Sequence, residues 1–205
     1  MAGIYARNAD GSGSPQQILS GHGTNYTGAW TPDGTRLIAV PLNPRTGFDI
    51  VVVPVSGDSA GQPLMSSQYS EGYPAISPDG RWLAYVTEET GRSEVYVRRF
   101  PGLGGRVQVS LNSGSEPVWS RDGRELIYRG GGRDGAQIVA ARVETAPTFQ
   151  VVSRTPLFSA EHYETAAPHT NYDVDPKGNR FVMVRHHGSS ELILVQNWPE
   201  QLDAQ

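Results

Sequence analysis

Cysteine is absent from the 205-residue chain, which excludes disulfides, thiolate catalysis and Cys-ligated zinc and leaves the redox compartment open. Lysine is almost absent too: Lys177 stands alone beside 16 arginines. Long apolar runs are missing. The most apolar stretch, residues 50–55, is six residues broken by Pro54, far below the roughly 20 that span a bilayer as a helix. Residues 1–10 carry no signal-peptide core, so no direct membrane insertion is expected and no export signal is read in this chain. With 17 basic and 21 acidic residues the net charge is −4. No uniform positive field exists to displace counterions from a nucleic acid, which is therefore not an expected partner.

What the chain does have is turn formers, 24 glycines and 15 prolines, and they recur in a pattern. Ala29-Trp30-Thr31-Pro32-Asp33-Gly34 is echoed by Ala75-Ile76-Ser77-Pro78-Asp79-Gly80, by Val118-Trp119-Ser120-Arg121-Asp122-Gly123 and, more worn, by Asp173-Val174-Asp175-Pro176-Lys177-Gly178. The glycines at 34, 80, 123 and 178 give periods of 46, 43 and 55 residues, which suit a four-stranded propeller blade. Each copy reads as a tight hairpin turn. Ser, Thr or Asp accepts a backbone hydrogen bond at the first position, Pro presets φ, and Gly takes the left-handed conformation. Arg121 in place of Pro and Lys177 in place of Asp are the two departures, and the second makes the fourth turn the least regular.

Apolar runs and further turn signals follow each copy at hairpin spacing. The predicted fold is all-β, a partial β-propeller of four-stranded antiparallel blades, with at most a helical turn or two at 160–165 and 198–204. Residues 1–20 hold the last two strands of an incomplete blade. Full blades occupy 21–66, 67–110 and 111–158, an insertion 159–168, a final three-stranded blade 169–198 and a tail 199–205, for seventeen strands in all. Such a chain leaves strand edges and one blade face to be covered, by missing N-terminal blades or by a second copy.

At these repeats the chain resembles the TolB-type, WD-repeat-like β-propeller. Ser77-Pro78-Asp79-Gly80-Arg81-Trp82-Leu83-Ala84-Tyr85, Glu94-Val95-Tyr96-Val97-Arg98-Arg99-Phe100-Pro101-Gly102 and Glu116-Pro117-Val118-Trp119-Ser120-Arg121-Asp122-Gly123-Arg124-Glu125-Leu126 are similar to the C-terminal propeller of bacterial eukaryotic-like serine/threonine protein kinases. So are Asn171-Tyr172-Asp173-Val174 and Leu192-Ile193-Leu194-Val195-Gln196-Asn197-Trp198 near the end of the chain. The resemblance covers roughly residues 20–200 and implies a six-bladed parent, of which this chain is the C-terminal two-thirds, and an extracytoplasmic or periplasmic setting. It is specific for fold and says little of function, because propellers host many activities.

Several motifs look chemical and lack their structural context. Gly57-Asp58-Ser59-Ala60-Gly61 matches a nucleophile elbow, which needs a helix after it, and a strand follows instead. Gly130, Gly132 and Gly135 match a dinucleotide loop but open no helix. The catalytic loop, metal motif and strand lysine of a kinase are missing. None of the five histidines, His22, His162, His169, His186 and His187, has a ligand spacing on a common helix face, so no metal and no cofactor is expected. Asp33, Asp79 and Asp122 are assigned to their turns, and Trp30, Trp82 and Trp119 to packing between blades.

The residues that open each innermost strand line a propeller's central channel. They are Asn25 and Tyr26, Glu71 and Tyr73, Ser115 and Glu116, and His169 and Asn171. Polar groups converging on one axis offer hydrogen bonds to a ligand. The expected function is a non-catalytic binding or sensor module that takes a protein, peptide or small ligand at the channel mouth, with Glu71 and Glu116 serving the ligand and not the fold. The rival readings are the propeller portion of a hydrolase of the prolyl-oligopeptidase kind and a truncated structural fragment without activity of its own.

Overall fold

Turn geometry divides the chain into sheets. The computed structural model describes residues 3–20, 23–56, 61–102, 104–131, 137–187 and 189–196. At each of the four repeated corners the glycine N–H donates to the carbonyl three residues earlier, at 2.8 Å for Gly34 to Thr31 and Gly80 to Ser77 and 2.9 Å for Gly123 to Ser120 and Gly178 to Asp175. The four glycines have φ between 67° and 76°, a region that a Cβ disfavours. Side chains close the corners again. Thr31 Oγ1, Ser77 Oγ and Ser120 Oγ accept from the N–H of Arg36, Trp82 and Glu125 at 3.1, 2.9 and 2.9 Å. The same hydroxyls donate to Asp33, Asp79 and Asp122 at 2.6, 2.6 and 2.7 Å. The fourth corner keeps this geometry despite Lys177, because Asp175 itself accepts from Asn179 N at 2.9 Å and Arg180 N at 3.3 Å.

Between the corners lie eighteen strands among the described residues. An N-terminal pair, β1 (Gly3–Ala6) and β2 (Gln16–Ser20), is followed by a sheet of β3 (Asn25–Trp30), β4 (Arg36–Asn43), β6 (Ile50–Pro54) and β7 (Gln62–Met65). The two-residue β5 (Gly47–Phe48), one strand beyond the predicted count, pairs with the far end of β4. The next sheet is β8 (Glu71–Ile76), β9 (Trp82–Thr87), β10 (Glu94–Arg99) and β11 (Arg106–Gln108), and the third β12 (Gly114–Trp119), β13 (Glu125–Gly130), β14 (Gln137–Glu144) and β15 (Gln150–Ser159). Last come β16 (Tyr172–Val174), β17 (Arg180–His187) and β18 (Ser189–Gln196). Every pairing is antiparallel and, apart from β4 with β6, between neighbours in sequence, and β3, β8 and β12 lie side by side as inner strands. This is a partial propeller: the N-terminal pair and the C-terminal three strands are not hydrogen-bonded into one sheet. Residues 160–165 form a turn and an irregular stretch, not a helix, and 198–204 lie outside the described residues.

Successive sheets pack face to face, which is why the central strands are apolar on both sides. Along β4, Leu37 and Ala39 meet Ile4, Ile18 and Leu19 of the preceding sheet, while Ile38 meets Leu83 and Tyr85 of the following one. The alternation repeats along β9, where Trp82, Ala84 and Val86 turn to Trp119, Leu126 and Tyr128. Along β13, Ile127 turns to Tyr172, Phe181 and Met183. A period of two with both phases apolar is the signature of a strand buried on each face.

The tryptophans divide. Trp82 and Trp119 are buried between sheets as predicted, but Trp30 is 51% exposed, which corrects its assignment to the core. The cause is the strand it lacks as a neighbour. Trp119 Nε1 donates to Ala75 O on β8 of the preceding sheet at 3.1 Å, whereas the sheet before β3 holds only β1 and β2.

Trp119→Ala is therefore expected to lower unfolding free energy by about 3–5 kcal/mol, and Trp30→Ala to change it by no more than about 0.5 kcal/mol, measured by denaturant titration; equal costs contradict the packing described. A second expectation concerns pH. Hydrogen bonds from the Thr31 hydroxyl, the Thr35 amide and the Thr35 hydroxyl hold the Asp33 carboxyl down to about 2. The Ser120 hydroxyl and Arg124 amide lower Asp122, and the Asn179 and Arg180 contacts outweigh desolvation to lower Asp175. A carboxylate depressed by folding stabilises above its unfolded pKa and loses that contribution as pH falls through the folded value. The denaturation midpoint should decline from about pH 4 downward toward about pH 2, and Asp33→Asn should flatten part of that decline. An unchanged slope contradicts it.

Candidate functional site

The inner strands share one irregularity. Ladder register slips between Thr27 and Trp30, between Gly72 and Ala75 and between Ser115 and Val118, each time at the third or fourth residue before the corner. A bulge there re-aims a side chain. In two of the three the bulged residue takes a left-handed backbone immediately before a proline, Tyr73 at φ 53° and Glu116 at φ 54°. Such conformations cost about 1–3 kcal/mol in a non-glycine residue and persist only where surroundings impose them.

What imposes them is the segment 160–172, which leaves β13, reaches β8 at Pro168 and β3 at His169, and returns to Glu116 on β12. Arg129, on β13, anchors its start: Nη1 donates to Ala160 O at 3.1 Å and Tyr163 O at 3.4 Å, and Nη2 to Glu164 O at 3.0 Å. The remaining Nε donates to Glu116 Oε1 at 3.1 Å, with the two side chains 3% and 0% exposed. Glu116 Oε2 accepts from Asn171 N at 2.8 Å, and the Tyr172 hydroxyl donates to Glu116 O at 2.8 Å. Tyr73 N donates to Pro168 O at 2.9 Å, and Pro168 lies so close over Gly72 that a Cβ there would sit 3.2 Å away. Burial pushes the Glu116 carboxyl upward, opposed by the Asn171 amide and the Arg129 charge. Burial, reinforced by the Glu116 and Glu88 charges, pushes the Tyr73 hydroxyl to about 12.

Glu116 is therefore a structural group inside the fold. Its expected place at an open mouth, and the expectation that it can be altered without harm to the fold, are corrected by its burial. Tyr73 and Asn171 belong to the same junction, and Ser115 is half-buried on β12, opposite Arg129 in the ladder. Arg129 escaped the sequence reading. Its signal is a charge within the otherwise apolar run Leu126-Ile127-Tyr128, on a strand with apolar packing on both faces.

Three predicted residues do come together at a surface. Asn25 and Tyr26 at the start of β3 and His169 of the segment 160–172 line a cleft of about 520 Å³, together with Thr27 and with Gly3, Ile4 and Tyr5 of β1. The Tyr26 ring stacks on the His169 ring at 6.1 Å and meets Phe48 edge-on at 5.8 Å. The cleft thus presents two stacked rings, an amide and a hydroxyl. Glu71 lies apart, in a second cleft of about 360 Å³ shared with Ser67, Tyr85, Glu89, Arg98 and Arg106. Its carboxylate accepts from the Ser67 hydroxyl, and burial, with the Asp49 and Glu89 charges adding, holds it above the ordinary carboxylate range against the Ser67 bonds. Arg106 Nη2 pairs with Glu89 at 2.5 Å and its guanidinium covers the Tyr96 ring at 4.6 Å.

Asp33, Asp79 and Asp122 are engaged within their own corners. Of the Gly57-Asp58-Ser59-Ala60-Gly61 run only Gly61 lies within the described residues, and it leads into strand β7. Gly130 ends β13, while Gly132 and Gly135, like His22 and Trp198, lie outside them.

No protein-family model matches the chain, and no curated protein matches it in sequence. Solved structures do. TolB from Acinetobacter baumannii is similar at a TM-score of 0.68 and 20% identity over 92% of this chain and 45% of that one. A TolB-like protein from Agrobacterium tumefaciens gives 0.63 and 19% over 95% and 70%. A puromycin hydrolase gives 0.59 and 16% over 92% and 32%. The fold is a β-propeller of the TolB type, and the chain spans less than half the length of the Acinetobacter protein it matches.

Breaking the buried pair should destabilise strongly. Arg129→Met leaves Glu116 uncompensated and is expected to cost about 3–5 kcal/mol and to open 160–171 to limited proteolysis ahead of the strands. A loss under about 1 kcal/mol, within the range of an exposed ion pair, contradicts the anchoring role.

Proposed function

We propose that this chain is a non-catalytic binding module, which takes a protein, peptide or small ligand at the channel mouth, in the cleft of Asn25, Tyr26 and His169. The observation that carries the reading is the convergence itself: residues from the first inner strand and from the segment before the last sheet, 143 positions apart between Tyr26 and His169, share one cleft of about 520 Å³. That volume falls in the range of about 300–1,000 Å³ that holds small ligands and short peptide ends. The rings give stacking area at little entropic cost, and Asn25 and Thr27 give orientation.

The chain is proposed to be the C-terminal part of a larger kinase-linked or TolB-like protein, acting as its sensor outside the cytoplasm. The likeness of residues 73–128 to kinase-borne propellers and the 45% coverage of a TolB support this. The exposed Trp30 face supports coverage by further blades or by a second copy. A second reading, the propeller portion of a hydrolase, draws on the similarity to a puromycin hydrolase across 32% of that chain. In the cleft of Asn25, Tyr26 and His169 no hydroxyl is hydrogen-bonded to a base among the described residues, so the mouth gives this reading no support of its own.

Peptides selected from a displayed library on the purified chain should bind to it and weaken at least tenfold, about 1.4 kcal/mol, on Tyr26→Ala and on His169→Ala. Affinity unaltered by both substitutions removes the mouth assignment. Turnover of ester or peptide substrates by the purified chain removes the non-catalytic one.

A further inference from the structure

The N-terminal pair ends on an open edge. β1 pairs only with β2, and alternate residues of a strand point their N–H and C=O groups to opposite sides, so half of the β1 backbone groups face away from β2. Those groups make no backbone hydrogen bond among the described residues. A row of this kind is a template for one more strand. The mouth cleft adjoins it, since Gly3, Ile4 and Tyr5 of β1 line that cleft with Asn25, Tyr26 and Thr27 of β3.

The molecule already holds the completed arrangement once. β10 stands in its sheet as β1 does in the N-terminal pair: each pairs with an outer strand, β11 or β2, and each packs apolar residues, Val95 and Val97 or Ile4, against the middle strands of the sheet that follows. On its other side β10 has β9, which lays Trp82, Ala84 and Val86 against Trp119, the last residue of β12. β3 ends on Trp30, the repeat equivalent of Trp119. Here no strand stands in the place of β9, and Trp30 is 51% exposed where Trp119 is 9%. A backbone edge and an apolar face are thus left open together.

We propose that an extended segment of another polypeptide adds to β1 as a strand, in the position that β9 holds beside β10. Its N–H and C=O groups pair with the free edge of β1, and its side chains at every second position turn toward β3 and cover Trp30. Those side chains are apolar. β9 supplies Trp, Ala and Val at the equivalent positions, and no carboxylate, lysine or arginine lines the cleft at the mouth end. A second copy pairing through its own β1 does not meet this need, because Ile4 and Ala6 already pack against β4 and β6 of their own chain. Strand addition rests on the reading of the mouth as a peptide site and specifies how the peptide is held.

The probe is a synthetic peptide with the sequence of β9, Trp-Leu-Ala-Tyr-Val-Thr, acetylated at its start and ending in Gly-Arg-Arg-amide for solubility. With ¹⁵N-labelled protein, the indole signal of Trp30, identified by its loss in Trp30→Phe, should move saturably as peptide is added. Trp30→Ala should weaken binding by about tenfold or more. Two N-methylated versions separate strand addition from side-chain stacking alone: one is methylated on the amides of Leu, Tyr and Thr, the other on those of Trp, Ala and Val. One set of amides faces β1 and the other faces away, so one version should lose about tenfold or more in affinity while the other stays within about twofold of the parent. No movement of the Trp30 indole, equal affinity of the two methylated versions, or unaltered binding to Trp30→Ala overturns the proposal. So does movement of the Trp30 signal with protein concentration alone, which assigns the face to a second copy. Library peptides that depend on Tyr26 and His169 while the β9 peptide fails leave the mouth reading in place and remove strand addition.

Discussion

One buried ion pair organises the hub. Arg129 and Glu116 sit on neighbouring strands of one sheet with almost no solvent contact, and neither charge is tolerable there alone. Together they leave donors and acceptors to spare, and the segment 160–172 uses them. The three further guanidinium bonds capture backbone carbonyls of that segment at its start, and the second carboxylate oxygen captures the Asn171 amide at its end. An irregular stretch of about a dozen residues thereby has both ends fixed at the same pair, with Pro168 and His169 between them reaching β8 and β3. The left-handed Tyr73 and Glu116 are part of the same arrangement, since each is bonded to the crossing segment. The position of His169 beside Tyr26, and with it the mouth cleft, follows from where that segment is held.

The sheets around this hub obey a simpler rule. Each has two apolar faces and satisfies them with the sheet before and the sheet after, so the core is a series of interfaces and not one centre. Nearest-neighbour burial of this kind makes the end sheets special. Trp30 shows the consequence at one end: the same position that is buried in the third sheet is left exposed where no inner strand precedes it. The corners show the rule on a smaller scale. Proline of one corner rests on glycine of the next, and the series is interrupted where Arg121 enters.

Much of this was legible in the sequence because it rests on local chemistry. A corner needs a hydroxyl or carboxylate, a residue tolerant of the turn and a glycine at positive φ, all within four positions, and all four copies fold as read. Strand order followed from hairpin spacing. What was hidden depends on residues far apart in the chain. Glu116 reads as a polar residue opening an inner strand, and only Arg129 and Asn171 show that it is enclosed. Trp30 reads as the equal of Trp119, and only the absent neighbour of β3 separates them. Thr27 joined the cleft unread because threonine in a strand carries no distinctive pattern. Asn25, Tyr26 and His169 share one cleft, whereas Glu71 and Glu116, which hold equivalent places in the repeat, lie in a second cleft and inside the fold.

The segment 160–172 is held as part of the folded hub. Native-state hydrogen exchange of the amides of Tyr73 and Asn171, which donate to Pro168 O and Glu116 Oε2, measures this most directly. Both should be protected to the level of the central strands β9 and β13, exchanging only with global unfolding. Exchange of these two amides near the rate of an open chain, while β9 and β13 remain protected, would contradict it.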